Sequence, residues 1–150
     1  MSNGTWFKWA AVAGLAIGCE TVLASGPGDI ANIPLAATQQ NSGQSGQATL
    51  VPVGDATEIA LFVSGLPSHT ALPAQLYTYL YPGTCGHLGA RPSFDMNQRV
   101  RLGEFTPMMM WKRVPISMQK LRSNDYALVV RSAPVDGSAE VFCGDLRQAS

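Results

Sequence analysis

From residue 47 onward, short apolar runs alternate with turn signals at intervals of about ten residues. "ATLVPV" precedes the turn "GDAT", and "EIALFVSG" follows it. The loop "LPSHTALP" leads to "QLYTYLY", after which "PGTCGHLGARP" is irregular. "RVRLGEF" and "MMMWKRV" read as a further strand pair around Thr106–Pro107. In "SMQKLRSN" the spacing of Met118 and Leu121, with Asn124 as terminator, predicts one short turn of helix. "DYALVVRS" and "AEVFCGDL" read as strands separated by the Pro-Asp-Gly turn of "APVDGS". About seven or eight short strands with regular turns predict an all-β fold, an antiparallel β-sandwich or barrel.

The N-terminal third has a different texture. Lys8 closes a short polar start, "WAAVAGLAIG" is an apolar run, and "TVLASG" supplies small residues, the order of a secretory signal. The apolar run is about half the ~20 residues that a spanning helix needs. Two cleavage readings stay open. Val22 and Ala24 fit ordinary signal peptidase, with residues 1–24 removed. "LAIGC" resembles a bacterial lipobox, with residues 1–18 removed and Cys19 lipidated. Either way the chain is expected outside the cytoplasm, periplasmic or secreted, and in the second case lipid-anchored in the outer membrane. Residues 25–46, rich in Gly, Ser, Asn and Gln, read as a flexible tail with one short strand at Ile33–Thr38. The folded domain is expected over residues 47–147.

Charge narrows the partners. The formal net charge is zero and only 13% of the residues are charged. That leaves no electrostatic footprint for nucleic acid, and the membrane enters only through a lipid on Cys19. With Cys19 removed or lipidated, Cys85 and Cys143 remain. In an oxidising compartment such a pair most simply forms a disulfide, worth about 4 kcal/mol for a loop of this length in the chain-entropy model.

Three segments in this order resemble a known family: "ATLVPVGDATEIALFVSGLP", "LPAQLYTYLYPGTCGHLGARP" and "DYALVVRSAPVDGSAEVFCGDL". Together they resemble the CHRD-type domains of bacterial secreted proteins, which are similar to copper/zinc superoxide dismutases. The resemblance implies a Greek-key antiparallel β-sandwich of the immunoglobulin-like or dismutase-like kind, and it supports the Cys85–Cys143 bridge. In such domains the strand before the loop cysteine reads Pro-Ala-His-Ile-His. Here Pro73, Ala74, Gln75, Leu76 and Tyr77 stand there, so both histidines are replaced. An amide oxygen and a neutral phenol are poor ligands for copper or zinc, which prefer imidazole and thiolate.

The expectation is therefore a non-enzymatic exported domain with no catalytic residue and no cofactor, whose partner is a cell-envelope protein or a small ligand. Gln75, Tyr77, Tyr79 and Tyr81 share one face of a strand and form the candidate ligand platform. The alternative is a copper-binding protein using Met108, Met110 and a histidine, either His69 or His87, because thioethers suit Cu(I). A basic group of Arg99, Arg101, Lys112, Arg113, Lys120 and Arg122 is a further candidate for acidic partners. No Gly-x-Ser-x-Gly elbow or His-Glu-x-x-His helix occurs.

Overall fold

Alternation is the rule that builds the first half of the molecule. The computed structural model describes residues 30–70, 75–97, 109–133 and 140–148. Strand β1 (Ala31–Ala37), β2 (Gly46–Val53), β3 (Ala56–Val63) and β7 (Met109–Val114) each send every second residue inward. Between them in sequence come β4 (Tyr77–Thr84) and the two-residue strands β5 (His87–Leu88) and β6 (Phe94–Asp95). Helix α1 (Met118–Ser123), β8 (Tyr126–Arg131) and β9 (Glu140–Asp145) follow, with 3-10 turns at Gln39–Asn41 and Leu146–Gln148. All described ladders are antiparallel. The fold is all-β, a curled sheet whose two halves close on one core.

The strand path is β5-β4-β8-β9-β1-β2-β3-β7, with β6 also on β4. β1 belongs to both halves. Ala31–Leu35 pair with β2, whereas Ala36 and Ala37 pair with Cys143 and Phe142 of β9. Pro34 lacks an N–H but falls where β1 pairs with β2 alone, so its missing donor breaks no second ladder. At this corner the two strands nearly touch: a side chain on Gly144 would lie 2.8 Å from the Pro34 carbonyl oxygen. The one short strand expected at Ile33–Thr38 forms as Ala31–Ala37, and it is an integral member of the sheet rather than part of a flexible tail. The reason is visible in Ala31, Ile33 and Leu35, which are buried while Asn32 and Pro34 are exposed.

Ile33, Leu50, Ile59, Leu61 and Val114 from the first half meet Leu80, Leu128, Val130 and Phe142 from the second. Burying each such side chain contributes about 1.5–3 kcal/mol. The helix expected in "SMQKLRSN" forms. Ser117 caps it by accepting from the Lys120 amide at 3.4 Å, and Met118 and Leu121 enter the core. Asn124 closes it by donating to the Lys120 carbonyl at 2.8 Å. Of the expected pair near Thr106–Pro107, "MMMWKRV" supplies β7, which pairs with β3. "RVRLGEF" and the turn in "APVDGS" lie outside the described residues apart from Ala133.

Candidate functional site

The tyrosines of β4 do share one face. Tyr77, Tyr79 and Tyr81 lie on the outer side of the second half, with Ala127, Val129 and Cys143 beside them. Tyr81 stands opposite Ala127 and Tyr79 opposite Val129, so small partners leave room for the rings. Tyr79 and Tyr81 meet edge to face with centroids 6.4 Å apart. The Arg131 guanidinium sits 5.7 Å from the Tyr81 ring centre.

This face is roofed. After Pro82 the chain turns at Gly83, whose φ of +98° favours glycine, and β5 pairs back onto Gly83 and Thr84. Cys85 and Leu88 of that loop pack onto the tyrosine cluster. Cys85 is disulfide-bonded to Cys143 of β9, 58 residues away, with Cα atoms 5.9 Å apart. The Cys85 amide also donates to Asp145 Oδ1 at 2.7 Å, so the loop is tied twice to the same strand. Tyr79 and Tyr81 are therefore only 4% and 5% exposed and offer no open stacking surface. Tyr77 is half-buried at the rim, and Gln75 is exposed ahead of the strand. Between Pro34–Ala36 and the disulfide lies an open cleft of about 240 Å³.

The other candidates disperse. Met110 is buried in the core, Met109 points outward, and Met108 lies outside the described residues. His69 and His87 are both exposed, in the loop after β3 and in β5. A copper site built on Met110 would have to withdraw that side chain from the core. The donor set at Gln75 and Tyr77, one exposed amide and one phenol packed against the outer tyrosine cluster, does not fit a copper or zinc ion. Among the described residues no group of three or more His, Cys, Asp or Glu side chains converges.

Among the described residues the basic group does not form one patch either. Arg99 and Arg101 lie outside the described residues, and Arg113 pairs with Glu58 at 3.6 Å. Lys112 faces inward with Met110 and Val114, because it occupies an inner position of β7. Lys120 and Arg122 ride on α1. Burial raises the carboxyl of Glu140 above its ordinary value of 4.5, opposed by the charge of Arg131.

No family model, curated protein or solved structure matches this chain. Its chemistry therefore has to be read from its own surface. There, Phe62, Met109 and Trp111 are 47%, 54% and 58% exposed. They lie together on the outer side of the first half, Phe62 opposite Met109 and Ala60 opposite Trp111. The signal for them is a parity break: in "EIALFV", Ile59, Leu61 and Val63 are inward, so Phe62 is an aromatic at a polar position. Trp111 is out of phase with Met110 and Val114 in the same way.

Proposed function

We propose that this chain is an exported, non-catalytic β-sandwich of the CHRD or dismutase-like type with a degenerate metal site. It serves the cell envelope as a binding or structural domain. The observation that carries this reading is the Cys85–Cys143 bridge, which ties the loop after β4 to the last strand. Structural disulfides persist in oxidising compartments and are rare in the cytosol. The signal-like "WAAVAGLAIG" and small residues near Val22–Ala24 point the same way, with Cys19 as the alternative lipid anchor. Gln75 and Tyr77 at the positions of a His-x-His pair favour binding over redox chemistry.

The test is to express the full chain in a bacterial host, fractionate the cells, and analyse the purified protein for thiols and metals. Periplasmic or membrane-anchored protein, without free thiols at Cys85 and Cys143 and without stoichiometric metal, is the expected result. Stoichiometric copper or zinc together with dismutase activity overturns the non-catalytic reading. Unprocessed protein confined to the cytoplasm overturns the export reading.

A further inference from the structure

The outer face of the first half is organised in rows across its four strands. One row runs Asn32, Thr49, Ala60, Trp111, and the next runs Pro34, Gln47, Phe62, Met109. The β3–β7 side of these rows carries the exposed rings, and the β1–β2 side carries amides and a hydroxyl. Ala60 between Thr49 and Trp111 keeps the ground beside the indole low. The polar side is already ordered. Gln47 Nε2 donates to Asn32 Oδ1 at 3.1 Å, and Thr49 Oγ1 donates to the same oxygen at 2.8 Å. These bonds engage the Asn32 carbonyl oxygen, while Asn32 and Gln47 are themselves exposed. With strands about 4.8 Å apart, the face spans roughly 14 Å from β1 to β7.

We infer that this face binds a neutral polysaccharide, with Trp111 and Phe62 stacking on sugar rings and Asn32 and Gln47 hydrogen-bonding hydroxyls. A pyranose has an apolar C–H face and an equatorial rim of hydroxyls, so it needs a planar ring beside neutral donors and acceptors. Charge agrees with an uncharged ligand: Glu58 and Arg113, the charged pair on this face, neutralise each other at 3.6 Å. Area argues against a second copy of the chain. Phe62, Met109 and Trp111 expose on the order of 300 Å² of apolar side chain, against roughly 500 Å² of apolar surface within the ~800 Å² that each partner of a stable dimer buries. The edge argues against it too. Lys112 points inward on β7, the last strand of the path, and an inward charge discourages a further strand from pairing there.

This inference rests on the reading of the chain as a binding module, but not on its export, which cell fractionation tests separately. The experiment is native electrophoresis of purified protein in gels containing hydroxyethyl cellulose, laminarin or galactomannan, beside a plain gel. Retardation in at least one polysaccharide is expected, with apparent affinity falling about tenfold or more in Trp111→Ala and in Phe62→Ala. Trp111→Phe should keep part of the retardation. Melting curves equal to that of the parent establish that the variants fold. Equal mobility in every gel overturns the inference, as does retardation that survives Trp111→Ala combined with Phe62→Ala. A dimer in sedimentation that depends on Trp111, without retardation, overturns it in favour of self-association.

Discussion

The two halves of the sheet carry aromatic residues on their outer faces and treat them in opposite ways. On β4, Tyr79 and Tyr81 lie under a loop that is fastened to β9 by a disulfide and a hydrogen bond. On β3 and β7, Phe62 and Trp111 stand in the open with no such roof among the described residues. The first arrangement adds a second small core outside the sandwich and contributes stability. The second leaves on the order of 300 Å² of apolar side chain in the open, the size of patch that often marks an interaction surface. An aromatic face marks a binding site only when nothing local has already claimed it.

The largest test of this contrast is truncation under the roof. Tyr81→Ala should cost about 3–5 kcal/mol, as for other buried aromatics, measured by denaturant unfolding. A cost under about 1 kcal/mol would mean that the cluster is not a packed unit. Removing the roof's anchor comes next. Cys85→Ala combined with Cys143→Ala should cost about 2–5 kcal/mol, and reductant should lower the melting temperature of the parent but not of this variant. Equal melting of the parent with and without reductant would show that the bridge does not hold the face closed.

On the open face, Trp111→Ala and Phe62→Ala should each change stability by no more than about 0.5 kcal/mol. A loss as large as that of Tyr81→Ala would abolish the distinction between the faces. The smallest effect concerns Glu140. Its folded-state pKa is raised by burial, so its contribution is fully present below the unfolded value and is lost as pH rises through the folded one. Glu140→Gln should therefore be more stable than the parent at pH 7 and indistinguishable from it near pH 4. A variant less stable than the parent at pH 7 would mean that attraction to Arg131 outweighs desolvation.

The all-β class, the helix at Met118–Ser123 and the Cys85–Cys143 pairing were legible from alternation, capping residues and cysteine parity. The roof over the tyrosines was not read, although a trace of it lies in β8. "YALVV" is apolar at consecutive positions from Ala127 to Val130, the pattern of a strand covered on both sides. The expectation of an open tyrosine platform weighed β4 alone, where alternation between Thr78 and its tyrosine neighbours looks like a wet face. β1 was legible as one short strand, but the glycine, serine and glutamine around it hid that this strand, with its inward trio Ala31, Ile33 and Leu35, is integral to the sheet. Phe62 and Trp111 needed strand parity rather than residue type, because each sits one step out of phase with its apolar neighbours.

β1 also gives the chain a calendar. Its first five residues find their partner on the very next strand, while its last two wait for Phe142 and Cys143. Thr38 likewise holds the Glu140 carbonyl across 102 positions. During synthesis the ribosome delivers β9 after every other described strand, so the sheet has no closing seam until then. Such distant closure slows folding, so the last strand to be delivered is also the one that joins the two halves of the sheet.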